Sequence, residues 1–108
     1  MSKLELYLSK IVNPHTITSF WIMFFFVYIL KSLKDNQLYI GSTSNLKKRL
    51  KEHNSGLVTS TKLRRPLKLV YFEGYVSEKE ARQREHNLKL RARALRQLLN
   101  RIKISLES

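Results

Sequence analysis

Residues 24–31, FFFVYILK, and residues 37–42, QLYIGS, with SLKDN between them, decide how this chain folds. The first run is apolar on both alternating sides and rich in aromatic and β-branched residues. That pattern predicts a strand covered on both faces, which places it centrally in a sheet. Leu33 to Gln37 is polar, and Asp35-Asn36 can adopt the left-handed backbone of a tight turn. Gln37 to Ser42 then reads as a second short strand, so the two runs predict a hairpin. The unbroken apolar stretch Phe20 to Leu30 has eleven residues, whereas a membrane-spanning helix needs about 20. Lys31 follows it directly, and no small-residue cleavage site of a signal peptide follows. The expectation is a cytoplasmic protein without integral membrane association.

Working outward, Thr43 or Ser44 can cap a helix that runs to about Asn54 and stops at Gly56, with Leu46 and Leu50 marking its buried side. Residues 55–66 form a polar, basic loop ending at Pro66, and Leu67 to Tyr75 reads as a third strand. Ser77-Glu78-Lys79-Glu80 is a capping-box pattern that opens a second helix. A basic helix follows, with Leu95, Leu98, Leu99 and Ile102 at helical spacing. The predicted order is β-β-α-β-α-α. Its class is α/β of the α+β kind: a small three-stranded antiparallel sheet flanked by helices. Residues 1–22 carry Pro14 and only weak periodicity. They read as an N-terminal extension, or as a short docking helix at 3–11, ahead of a domain spanning 23–105.

The chain has 108 residues and a mass of 12.8 kDa, which is one domain. Lys and Arg number 21 against 8 Asp and Glu, a net charge of +13. Residues 45–68 carry eight basic residues and the single acid Glu52; residues 82–103 carry eight and the single acid Glu85. Two basic segments on a near-neutral remainder predict a polyanion partner, and solubility alone does not favour cations over acids. Nucleic acid is the first choice and an anionic membrane surface the second. With no Cys, disulfide scaffolds, thiol nucleophiles and Cys-ligated zinc are excluded, and His15, His53 and His86 are too scattered for a His-built metal cage.

Ala81, Glu85, Leu88 and Ala92 recur at spacings of one helical face. A carboxylate on such a stripe is costly unless paired or bound to a cation. It is either a rim salt bridge to an Arg or an oxygen ligand suited to Mg²⁺ or Mn²⁺. Arg49 and His53 share a helix face beside Leu46 and Leu50. They offer a phosphate fork and a proton carrier, or are simply solvated. Lys47, Lys48 and Lys51 supply generic phosphate contacts or solvating charge. Tyr28 and Tyr39 sit on the hairpin strands; a phenol becomes a base only where a neighbouring cation or metal lowers its pKa. Gly41 follows Tyr39 closely, and a strand glycine often marks close approach of a backbone or ligand.

Taken together, Val27-Tyr28-Ile29, Leu38-Tyr39-Ile40-Gly41, Arg49, His53 and Glu85 with Lys89 resemble the GIY-YIG nuclease family. The resemblance covers about residues 24–103 and is greatest to its small stand-alone bacterial members. It implies a three-stranded antiparallel sheet flanked by helices and metal-dependent hydrolysis of DNA phosphodiesters, in repair or in processing branched DNA. It assigns Glu85 to a divalent metal, Mg²⁺ or Mn²⁺, and Tyr28 to the base that activates water. Tyr39 would position water or phosphate, Arg49 would steady charge on phosphorus, and His53 would lie near the nucleophile. DNA contacts are expected from Gly41, Lys47, Lys48, Lys62, Arg64, Arg65 and Lys89. Val27 replaces the Gly that often opens the first motif, and Ser42 stands where many members carry Lys. Gln97 and Asn100 are two candidates for an Asn that some members use. These departures motivate the rival reading, a nucleic-acid-binding module of the same fold without turnover.

Overall fold

The computed structural model describes residues 2–3 and 24–108. The expectations for the extension, the docking helix at 3–11 and the boundary at Met23 fall, but for Ser2 and Lys3, outside the described residues. From Phe24 onward the chain forms strand β1 (Phe25–Ser32), strand β2 (Leu38–Thr43) and helix α1 (Leu46–Asn54). A 3-10 turn (Lys62–Arg64) and strand β3 (Leu67–Tyr75) follow, then helices α2 (Glu78–Leu90), α3 (Ala92–Arg101) and α4 (Lys103–Glu107). The sheet is antiparallel with order β2-β1-β3, so β1 is central as its two-sided apolar pattern requires.

Alternation along β1 supplies both halves of the core. Val27 and Ile29 face α2 and α3 and pack with Ala81, Leu88 and Leu98. Tyr28 and Leu30 face α1 and pack with Leu67, Tyr39, Leu46, Leu50 and Leu69. Ile29 opposes Tyr71 while Leu30 opposes Leu69, so Val70 is an extra residue that bends β3. The hairpin turn closes through Ser32, whose buried hydroxyl accepts from the Lys34 and Asp35 amides at 3.2 Å each, with Asn36 at φ 60°.

Three local expectations are corrected. The N-cap of α1 is Asn45, whose side chain accepts from the Lys48 amide at 3.1 Å. Thr43 is still in β2, and its hydroxyl accepts from the Asn45 amide at 3.1 Å, forming the turn before the helix. The two helices expected after β3 are α2 and α3, separated where Arg91 is extended (φ −111°, ψ 100°). Ala92 therefore leaves the face of Ala81, Glu85 and Leu88 and is exposed. A short further helix, α4, lies beyond the predicted order.

Candidate active site

Tyr28 projects from the middle of β1 toward α1, directly opposite Gly41 of β2. A Cβ on Gly41 would lie 2.5 Å from the Tyr28 hydroxyl and 2.6 Å from Cζ. What approaches this glycine closely is therefore the Tyr28 ring, which covers it; Gly41 is buried and offers no surface to DNA. Tyr39 stands on the same face, its ring 6.3 Å from Tyr28 and 4.9 Å from His53 in an edge-to-face contact.

His53 enters from the last turn of α1 and has no solvent exposure, which overturns the solvated reading. Its Nε2 lies 2.8 Å from the Tyr28 hydroxyl and its Nδ1 2.7 Å from the equally buried Thr61 hydroxyl. Burial first, then the charge of Arg49, push His53 down to about 4, so it is neutral at physiological pH. Burial pushes Tyr28 up to about 12, against the lowering effect of a hydrogen bond from Arg49. Arg49 is itself raised by that contact and lies 3.9 Å from Glu52. In the tautomer whose Nδ1–H donates to Thr61, Nε2 accepts from the Tyr28 hydroxyl, which leaves the phenol oxygen free to accept from Arg49. Nothing in the loop composition marks Thr61 as a partner, because the contact is made only when residues 55–66 fold back under α1.

The carboxylate half of the site comes round the edge of the sheet. Ser42 follows Gly41 and so points to the opposite face, where α2 lies. Its hydroxyl donates to Glu85 Oε1 at 2.5 Å, and Lys89 Nζ donates to Oε2 at 2.7 Å. Burial alone would raise the Glu85 pKa. The contacts from Lys89 and Ser42 outweigh it and hold the group below the usual carboxylate range. Its charge adds a small further raise to the Tyr28 pKa. The rim salt bridge is there, but to Lys89 in place of the expected Arg, and an exposed i,i+4 pair contributes only about 0.3–0.5 kcal/mol. Among the described residues no group of three or more His, Asp or Glu converges. One half-buried carboxylate beside a hydroxyl suits a hard cation such as Mg²⁺, which keeps several waters and takes other oxygens from phosphate.

The adjacent Arg84 points to the other edge. Its Nε lies 2.6 Å from Glu73 of β3, which also accepts from Tyr71 at 2.5 Å and Tyr75 at 2.9 Å. Of the expected DNA contacts, Lys47 and Lys48 are exposed on α1. Lys62 and Arg65 line an open cavity with Lys34 and Asn54. Arg64 instead braces the hairpin turn, with Asp35 at 3.2 Å and the Leu38 carbonyl at 3.4 Å. Gln97 and Asn100 are exposed on α3, and the hydrogen bonds at Glu85 come from Ser42 and Lys89.

The GIY-YIG catalytic domain family matches residues 24–100, the span that carries every one of these side chains. This chain belongs to the GIY-YIG family. GIY-YIG domains are generally nucleases and generally use divalent metals. The domain is 51% identical over 65 residues to UPF0213 protein CPE1444 of Clostridium perfringens, covering 59% of this chain and 69% of that protein. It is 40% identical over 74 residues to UPF0213 protein YazA of Bacillus subtilis, covering 68% and 74%. The solution structure of UPF0213 protein BH0048 of Bacillus halodurans aligns at 35% identity and a TM-score of 0.46 over 71% of this chain and 83% of that one. Among the described residues of this GIY-YIG protein, no helix is long and apolar enough to cross a membrane.

Proposed function

We propose that this GIY-YIG protein is a metal-dependent endonuclease that hydrolyses DNA phosphodiesters in the cytoplasm, acting in repair or on branched DNA. The observation that carries the reading is the buried Tyr28–His53 hydrogen bond of 2.8 Å, with Arg49 near enough to lower the pKa of the same hydroxyl. A fully protonated phenol beside a neutral imidazole is a proton relay: Tyr28 Oη takes a proton from water as its own passes to His53 Nε2. Thr61 on Nδ1 fixes the ring for that transfer. Arg49 is positioned to stabilise negative charge on the phosphorane, and Tyr39 to orient water or phosphate. Glu85 and Ser42 would hold the divalent cation, which supplies Lewis-acid neutralisation of the phosphate when bound.

The test is a panel of linear, nicked and branched DNAs with Mg²⁺ or Mn²⁺. Wild type should cut in a metal-dependent way, and Glu85→Gln should bind without cutting. Arg49→Ala should lose about 10²–10³ in rate, the scale of one transition-state donor. Equal cutting by Glu85→Gln would remove Glu85 from the site. A second reading, a binding module without turnover, is favoured by the Lys89–Glu85 ion pair, and absence of cutting across the whole panel would establish it.

A further inference from the structure

Both oxygens of the Glu85 carboxylate are already engaged, Oε1 by Ser42 and Oε2 by Lys89. A hydroxyl can stay beside a metal-bound carboxylate, since its oxygen is itself a potential ligand. An ammonium cannot share a carboxylate with a divalent cation without strong like-charge repulsion. Lys89 and a divalent cation therefore compete for Glu85. Lys89 has somewhere to go: it lines a cavity of about 280 Å³ with Ser42, Arg82, Glu85 and His86, open to solvent and dominated by basic groups. Arg82 is engaged elsewhere, 2.7 Å from Glu78. An ammonium released into this cavity is suited to a backbone phosphate.

We propose that Lys89 is shared between Glu85 and the DNA substrate. It neutralises the carboxylate in the absence of cation, yields that place to the cation, and then holds a phosphate. By reciprocity, a phosphate that captures Lys89 frees Glu85 for the cation, so cation and DNA each tighten the binding of the other. Lys89 is thus a positioning residue that couples the two ligands. The inference rests on the assignment of the cation to Glu85.

The experiment measures Mn²⁺ affinity of the full chain by calorimetry, with and without a fully phosphorothioate oligonucleotide that resists cutting. Wild type should bind Mn²⁺ more tightly with the oligonucleotide present. Without it, Lys89→Met should bind Mn²⁺ about twofold more tightly than wild type, the fold-change of deleting one exposed competing i,i+4 ion pair. The oligonucleotide should then tighten Mn²⁺ binding less in Lys89→Met than in wild type, and Lys89→Arg should restore the coupling. Arg82→Met removes a cation from the same cavity without releasing Glu85, so it should change Mn²⁺ affinity less than Lys89→Met. Sharing is overturned if Lys89→Met binds Mn²⁺ no better than wild type, if Arg82→Met matches it, or if coupling is unchanged. Glu85→Gln separates the two claims: Mn²⁺ binding at wild-type strength refutes the cation assignment and the inference together. Loss of binding there, with a silent Lys89→Met, sinks the sharing alone.

Discussion

His53 sits without solvent exposure between two hydroxyls, and its pKa of about 4 lies below the ordinary 6.5. The unfolded chain therefore takes up a proton here at higher pH than the folded one. Stability from this group is fully present above pH about 6.5 and is lost as pH falls toward 4, by roughly 3 kcal/mol. Urea denaturation across that interval should show the decline in wild type and a shallower one in His53→Gln; a flat wild-type curve would count against a buried neutral imidazole. Gly41→Ala inserts a carbon 2.5 Å from the Tyr28 hydroxyl. Such overpacking should cost about 1–3 kcal/mol and displace the hydroxyl from His53. Tyr28→Phe in the same chain should recover only part of the stability, because Cζ is also only 2.6 Å away. Tyr28, Tyr39, Arg49 and Glu85 were legible because their spacing is a motif. Thr61, and Ser42 as a donor to Glu85, were not: each finds its partner across the fold, and a hydroxyl residue in a short polar stretch looks the same whether buried or solvated.

At the level of elements, α1 owes its docking to more than Leu46 and Leu50. The Asn54 side chain donates to the Leu67 carbonyl at 2.9 Å and accepts from the Leu67 amide at 2.8 Å, so the end of the helix pairs with the start of β3 as a strand would. Asn54→Ala leaves the Leu67 amide unpaired and should cost about 1–3 kcal/mol. Since His53 is the preceding residue, turnover should fall as well, with denaturation and rate measured on the same preparation; unchanged stability would show the clamp to be dispensable. Periodicity predicted Leu67–Tyr75 with its observed bounds and the other two strands to within a residue. It predicted two helices after β3 but carried the first through Ala92, because the residues around Arg91 are good helix formers and no Gly or Pro marks the end of α2. The strand runs were legible because one pattern, apolar on two faces, served both packing and position. The position of the break comes from how α3 folds back on α2, which the local composition does not encode.

For the whole molecule, charge counts foresaw basic segments without telling which cations are available. Lys62 and Arg65 line an open cavity, whereas Arg64 is committed to Asp35 and the Leu38 carbonyl. The slope of log K against log salt for duplex DNA should flatten by about 0.9 for each phosphate contact removed. Lys62→Ala with Arg65→Ala should therefore flatten it by nearly twice that, while Arg64→Ala should leave the slope close to wild type and lower the melting temperature. Identical slopes for all three would mean that the loop does not meet phosphate. Topology was legible from β1 alone, since a strand apolar on both faces belongs in the middle. The division of labour between the two sides of the sheet was not, and α2 shows why it matters. Arg84 and Glu85 diverge by about 100° around the helix; Arg84 is tied to Glu73 on one edge strand and Glu85 to Ser42 on the other. A roll of α2 in either direction stretches one tether, so the helix behaves as a beam pinned at both walls, with no torsional play. The carboxylate is thereby indexed to the full width of the sheet, and slack introduced at the far wall, where Arg84 meets Glu73, would be felt as misalignment of Glu85.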